Sequence, residues 1–562
     1  MKSRLAHPAP RLRPAGDLDR GRAALADSRW REARRAFEAA LTREESAEAY
    51  EGLGLAGWWL DAAPIVFEAR SRAYRLYLEE GNRAAAARMA VWCAWDHVAF
   101  RGERALANGW LRRAHRLLQT TAAPAERAWL AAREGSWLLD DGDCAGAAAQ
   151  ARLAIRAARR AGDAGLELMG RALEGVAQVT AGEYEAGMAA LDEVVAAILA
   201  GEVKDRIPIA IAACHAVQAC ELVRDLARAD EWCLNLRGWA KSWKLRPLLA
   251  TCRVRWASMC IWRGDWDEAE RELTSAGAEF SASRPAMLAE GSVRLGELRR
   301  KQGRAAEAAE LFAAAEPHPL AMLGRAQLML EDGKAGRAAD LAERYLRRLA
   351  RPNRAERAPA LEILTRARLA QGNRAAAAAA ARELARIAER VAAPALAAAA
   401  QFAAGQVAAA GGDLDEARRH LEDAIDAYRA SGAPLEAARA GIELARLEAT
   451  ERPEAALEEA RRALALLDGV AAPREVENAR ALLARLDGTA AAHKAPAGLS
   501  PRELDILRGI SAGLSNAALG ERLFISAHTV HRHVANIFDK LDVSTRAEAV
   551  ARAAKLGLLE AQ

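Results

Sequence analysis

Very little in this sequence points to bound metal, redox chemistry or a membrane. Its 562 residues include seven cysteines, at 93, 144, 214, 220, 233, 252 and 260, with no C-x-x-C pair and no histidine-rich companion. An odd number at irregular spacing predicts reduced thiols in a cytoplasmic protein, without a disulfide frame or zinc site. Cys214 and Cys220 are open to two readings, a redox pair or inert buried thiols. Excess charge is missing as well: a formal net charge of +5 over this length excludes a polybasic coat for nucleic acid. Hydrophobic content is 52%, yet much of it is alanine, a helix former and not a membrane former. The longest uncharged stretch, Val391 to Gly412, could span a bilayer by length, yet it is mostly alanine and glycine with Pro394, Gln401 and Gln406 inside it. It reads as a helix pair of a soluble fold. Met1 to Gly16 carries Lys2, Arg4, Arg11 and Arg13 among three prolines with no apolar core, so it reads as a disordered lead-in and not a signal peptide.

The usual marks of catalysis are missing too. No G-x-x-x-x-G-K-[ST] loop occurs, since Gly333-Lys334 lacks the upstream glycine and the hydroxyl residue, and there is no H-E-x-x-H. Two patterns match by letter and fail by context. Gly509-Ile-Ser-Ala-Gly513 closes a helix where a nucleophile elbow needs a strand before it. Gly52-Leu-Gly-Leu-Ala-Gly57 follows helical sequence with no βαβ unit around it. Acidic residues such as Asp265, Asp267 and Glu268 sit among arginines and read as a solvated face. No catalytic residue, cofactor or metal is therefore expected.

What the chain does have is a long repeat. From residue 17 to 486 a turn mark recurs: a glycine, one or two polar residues, then an alanine five positions on. It begins at Gly102 (to Ala107), Gly142 (Ala147), Gly182 (Ala186, one position early), Arg224 (Ala229), Gly264 (Ala269), Gly303 (Ala308), Gly333 (Ala338), Gly372 (Ala377) and Gly412 (Ala417). The steps are 40, 40, 42, 40, 39, 30, 39 and 40 residues. Helical sequence flanks each mark, so the predicted unit is a helical hairpin, and hairpins that cannot bury their own apolar stripe must stack into a solenoid. The small alanine lets paired helices approach closely. Asp27-Ser-Arg-Trp-Arg-Glu-Ala33 and Arg452-Pro-Glu-Ala455 extend the pattern to both ends. The whole resembles the tetratricopeptide class, although the period exceeds the roughly 34 residues usual there.

All fourteen tryptophans lie between Trp30 and Trp266, and alanine dominates afterwards. Either Trp58, Trp92, Trp95, Trp137, Trp239 and their kin fill wide gaps between helices, or some line a concave surface where a ligand or peptide docks. Residues 487–498, with Gly488, three successive alanines, Pro496 and Gly498, read as a short tether.

The last stretch, 499–562, reads as a separate four-helix domain. Ser500-Pro-Arg-Glu503 supplies an N-cap, a proline at the first helical position and a capping box, with Leu499 and Leu504 as a hydrophobic staple. Gly513 suits a left-handed stop, Ser515 caps a second helix through Leu519 to Leu523, and Ser526 caps a third after the Phe524-Ile525 turn. On that third helix Val530, Val534, Ile537 and Leu541 share a narrow face, opposite His528, Arg532, Ala535 and Asp539. A fourth helix opens with the Thr545/Glu548 capping box and carries Val550, Ala551, Ala554 and Leu558. Two helices about a tight turn, the second with a polar outer face, make a helix-turn-helix, and an α-helix fits the DNA major groove.

The residues Leu499-Ser-Pro-Arg-Glu503, Gly513-Leu-Ser-Asn516, Leu523-Phe-Ile-Ser526, Thr529-Val530, His533-Val534, Asn536-Ile537, Lys540-Leu541 and Ser544-Thr-Arg546 resemble the LuxR-type helix-turn-helix. The resemblance implies a transcription regulator whose third helix enters the major groove of double-stranded DNA and whose fourth, through Val550, Ala551 and Ala554, helps form a homodimer. It places His531, Arg532 and Ala535 at base-reading positions, with Thr529, Asn536 and Lys540 at phosphates and His528 on the same outward face. The chain departs from the family at His531, often basic there, and at Ala517-Ala518, where Lys-Glu is common. Residues 496–562 hold eight Lys/Arg against seven Asp/Glu, about +1, which predicts weak non-specific binding with a shallow salt dependence. His528, His531 and His533 point to different sides of one helix, which disfavours a metal cluster. His533 is expected to pack or to donate to phosphate, and the other two to be solvated or to tune affinity near neutral pH.

The reading is an all-α cytoplasmic regulator: a solenoid receives a protein or small-molecule effector, and the terminal domain binds promoter DNA as a dimer. The rival is an interaction scaffold whose terminal domain has lost useful DNA affinity.

Overall fold

The computed structural model describes residues 16–243, 246–349, 354–490 and 498–559. Among these there are helices and no strand. Twenty-five helices, from α1 (Asp17–Ala26) to α25 (Pro473–Ala490), form the repeat region. Four more, α26 (Pro501–Ser511), α27 (Asn516–Leu523), α28 (Ala527–Leu541) and α29 (Arg546–Lys555), form the terminal domain.

Every turn mark falls inside a helical hairpin. The first residue of each is left-handed, with φ between +69° and +90° at the eight glycines and +60° at Arg224. Glycine adopts that backbone without a Cβ penalty, which is why it recurs there. Ala107, Ala147, Ala229, Ala269, Ala308, Ala338, Ala377 and Ala417 are all fully buried, each where the second helix of a hairpin crosses the first. The Gly182 copy corrects the sequence reading. Ala186 is exposed, and the buried small residue is Gly187, five positions on like the others. A Cβ at Gly187 would stand 2.6 Å from the carbonyl oxygen of Gly175. The short 30-residue step also has a cause: α16 (Ala305–Ala314) and α17 (Pro319–Glu331), between the Gly303 and Gly333 turns, are only 10 and 13 residues long.

The solenoid winds far enough that successive turns touch. Arg284 reaches back 223 residues to Asp61 at 2.7 Å, Arg224 holds Glu362 at 2.7 Å, and Lys301 holds Glu436 at 2.7 Å from opposite sides of a closed seam. Near the N-terminus the core is filled by aromatic rings: Trp30 stacks on Trp59 (4.8 Å between centroids) and Trp92 on Trp95 (5.1 Å). The guanidinium groups of Arg70, Arg133 and Arg284 lie 4.0–4.4 Å from the ring centroids of Trp92, Trp95 and Trp58. Trp58, Trp92, Trp95 and Trp137 are core residues, as the gap-filling reading expected; the side chain of Trp239 lies outside the described residues. Within this cluster Asp96 is fully buried, and burial raises its carboxyl to about 6 despite Arg70 nearby.

Three further expectations meet the structure. Cys214 and Cys252 form a disulfide between α11 (Arg206–Val223) and α13 (Arg246–Arg263), with Cα atoms 5.5 Å apart. This overturns the expectation of reduced thiols throughout. The pairing depends on two helices that are not consecutive, which spacing along the chain does not reveal. Residues 391–412 hold the last residue of one helix and a single further helix, α21 (Pro394–Gly411), where the sequence reading expected a pair. Among the described residues one helix, α11, is long and apolar enough to cross a membrane, and 72% of that window is buried inside the fold. At the tether, α25 continues to Ala490, past the expected domain end at 486, and 491–497 lie outside the described residues. So does the lead-in, apart from Gly16.

Candidate nucleic-acid interface

The terminal domain is built by local signals. Ser500 accepts the Glu503 N–H (3.2 Å) while Glu503 accepts that of Ser500 (2.8 Å), and Thr545 and Glu548 repeat the arrangement on α29. Ser515 and Ser526 cap α27 and α28. Gly513 and Phe524 are left-handed turn residues. Between α27 and α28 the chain turns so tightly that a Cβ on Gly520 would meet the Ile525 carbonyl oxygen at 2.7 Å. Leu499, Ile506, Leu507, Ile510, Leu519, Val530, Val534, Ile537, Leu541, Ala549 and Ala553 close the core. The narrow valine face of α28 is thus inward, and its other side is left for a partner.

That other side is partly covered. His528, Arg532 and Asn536, spaced four residues apart, make a row of about 6 Å steps along α28, and each meets a carboxylate of the solenoid. His528 Nδ1 lies 3.4 Å from Asp426, Arg532 Nη2 lies 3.8 Å from Glu459, and Asn536 Nδ2 donates to Glu458 at 3.4 Å. Ser526, at the head of the helix, donates to Asp426 at 3.3 Å. The acceptors come from α22 (Leu414–Ala430) and α24 (Pro453–Leu466), with α23 (Pro434–Glu448) between them. Arg532 keeps only 15% of its side-chain exposure, and its Nε and Nη1 are buried without a hydrogen-bond acceptor.

The remaining positions divide. His531 and Ala535 are exposed. Thr529 is fully buried, and its hydroxyl shares a 2.7 Å hydrogen bond with Ser526 Oγ, so in this arrangement it serves the helix cap and no phosphate reaches it. Lys540 pairs with Glu503 at 2.8 Å, tying the end of α28 to the capping box of α26. On α29, Ala551 and Ala554 are exposed, Val550 is half-buried, and Leu558 belongs to the core.

His533 sits where domain and solenoid meet. Burial, followed by the charges of Arg532, Arg462, Arg502 and Arg452, lowers its imidazole to about 3, so the ring is neutral. Opposite it, burial and Glu448 push Glu422 well above the usual carboxylate range. Burial also lowers Arg502 to about 10. Arg502 Nη2 donates to the Leu523 carbonyl and so braces the helix-turn-helix turn, and Arg546 donates to the Leu514 carbonyl at 2.8 Å. The sequence reading missed Arg502 and the whole solenoid side of this seam. One signal was available: five acidic residues between 448 and 459 against a single arginine. The two letter matches fall as context required: Gly52 to Gly57 lie within α3 (Ala47–Trp59), and the Ser511 hydroxyl donates to the Arg508 carbonyl of its own helix at 2.7 Å. Among the described residues no cluster of three or more metal-ligating side chains occurs.

Residues 497–553 match the model of the family described as "Bacterial regulatory proteins, luxR family". The same region is similar to LiaR of Bacillus subtilis, a transcriptional regulatory protein (51% identity over 51 residues, 9% of this chain and 24% of LiaR). It is similar to the transcriptional regulatory protein DegU of Brevibacillus brevis (42% over 59 residues, 10% and 25%). It also matches an HTH-type transcriptional regulator of Mycobacterium tuberculosis (41% over 59 residues, 10% and 7%). The chain thus spans at most about a quarter of the length of these curated relatives. Over most of its length it is similar to solved helical structures at low identity. These include the APC/C hetero-tetramer Cut9-Hcn1 (13% identity, TM-score 0.39, 84% of this chain and 95% of that one) and a human IFIT1 dimer (14%, TM-score 0.38, 72% and 91%).

Proposed function

We propose, from the premise that residues 497–553 are a LuxR-type helix-turn-helix, that this chain is a DNA-binding transcription regulator. In this reading α28 reads promoter DNA in the major groove. The observation that carries it is the division of α28 into a buried valine face and an outward row of His528, Arg532 and Asn536, held on a tight helix-turn-helix. Arg532 is assigned to a base, guanine by preference, because a guanidinium can donate two parallel hydrogen bonds to its O6 and N7. His531 and Ala535 are assigned to bases as well, and His528, Asn536 and Lys540 to the backbone or groove edge. A homodimer through the outer side of α29, at Val550, Ala551 and Ala554, would set two half-sites about one helical turn apart, ~34–36 Å. The solenoid is the part assigned to an effector, protein or small molecule, and the chain would act in the cytoplasm.

The near-neutral domain supports a second reading, a scaffold with little DNA affinity, because phosphate neutralisation supplies most non-specific binding. Selecting bound fragments from random duplex DNA separates the two. One enriched, two-fold-symmetric sequence, bound with a shallow dependence on salt, is expected. No enrichment would leave the scaffold.

A further inference from the structure

The row on α28 that the proposed function sends to DNA is already occupied. Arg532, 15% exposed, cannot hold Glu459 and a base edge at once, while His531, Ala535 and most of His528 stay exposed beside it. The covering surface also has the electrostatic character of the ligand it displaces. Residues 414–466 carry twelve Asp/Glu against eight Lys/Arg, where the terminal domain is about +1. Asp426, Glu459 and Glu458 meet a helical row stepped by about 6 Å, presenting anionic oxygens to groups suited to phosphates and base edges.

The seam is also incompletely satisfied. Arg532 leaves two guanidinium nitrogens unsatisfied, Glu422 Oε2 and Arg502 Nε are likewise buried without partners, and a cleft of about 20 Å³ remains among Glu448, Glu458, Arg532 and His533. A half-satisfied polar network gives up little when it opens, because water restores the missing hydrogen bonds. The exposed alanines of α29, meanwhile, are not covered.

We infer that the acidic face of α22–α24 is an autoinhibitory docking surface whose occupant is this chain's own reading helix α28, held as a stand-in for DNA. The inference rests on the DNA-reading function above. Docking and DNA binding are mutually exclusive states of one chain, and whatever binds the solenoid and loosens α22 against α24 raises DNA affinity without touching the terminal domain.

The test uses the full chain carrying Asp426→Asn, Glu458→Gln and Glu459→Gln together. None of these residues belongs to the terminal domain. Expected are a dissociation constant for the selected sequence at least tenfold lower than wild type and a larger radius of gyration by small-angle scattering. Because Glu459 is buried and also faces Arg462, Asp426→Asn alone serves as the second variant, moving both readouts the same way by a smaller factor. Equal affinity and equal dimensions in wild type and variants, with an enriched sequence in hand, would overturn the masking alone. No enriched sequence from any of the proteins would remove the DNA-reading function, and the masking with it.

Discussion

Two sets of contacts join parts of this chain that are distant in sequence, and they are built differently. Between turns of the solenoid, Arg284–Asp61, Arg224–Glu362, Lys301–Glu436 and Arg294–Glu221 all close at 2.7 Å, and each cation is nearly buried. Between solenoid and terminal domain the contacts lie at 3.3–3.8 Å, around a residual cleft. A buried, short ion pair is expensive to break, because either partner left alone is a desolvated charge. A long pair with an exposed member, such as His528 with Asp426, contributes about 0–1 kcal/mol and yields to competition. The first set fixes the superhelix, and the second holds a domain that has another partner to meet.

The comparison breaks most sharply at Lys301. Its ammonium is 4% exposed, bonded to Glu436 and 5.1 Å from the Trp262 ring. Glu436→Ala strands that charge and should cost about 3–5 kcal/mol, read as a lower urea midpoint of tryptophan emission. Asp426→Asn, on the loose seam, should leave the same midpoint nearly unchanged. If the two variants unfold alike, the distinction between fixed and releasable contacts is wrong.

Arg532→Ala sharpens the other side. The side chain is poorly paired against Glu459, so its loss should barely move the urea midpoint. On DNA the same change should cost about 1–3 kcal/mol and relax preference at one base pair. Its removal also loosens docking, so the informative readout is the pattern of preference. Uniform weakening on all sequences would make Arg532 a phosphate contact.

The difference between the two seams also follows how much was legible in the sequence. Caps at Ser500, Ser515, Ser526 and Thr545, and the left-handed turns at Gly102 through Gly412, are set by residues a few positions apart, and they stand where the sequence put them. The valine face of α28 was legible for the same reason. Gly187 was missed because a glycine did not register as the small residue of its hairpin, although it fills the role of alanine. The Cys214–Cys252 bridge and the Arg284–Asp61 contact depend on superhelical winding, which no local pattern encodes. The docking of α28 was hidden differently. Its acceptors sit on helices rich in both charges, and such helices look solvated until a partner is laid against them.

His533 offers a smaller, directional test of the loose seam. In the docked state its value is about 3, with Arg532, Arg502, Arg452 and Arg462 facing it and Glu448, Glu458 and Glu459 lining the same cleft. Released, the ring returns toward the ordinary value of about 6.5. The docked form therefore binds fewer protons, and its stability is fully present above about pH 6.5 and lost as pH falls toward 3. Each pH unit below about 6.5 should cost docking up to ~1.4 kcal/mol. Glu422, pushed upward by burial, acts with the opposite sign, so the wild type must be compared with His533→Gln, in which only the imidazole contribution is gone. Between about pH 7.5 and 5.5, the wild-type chain should expand in small-angle scattering relative to the variant, and parallel profiles would show that the imidazole is not desolvated by docking.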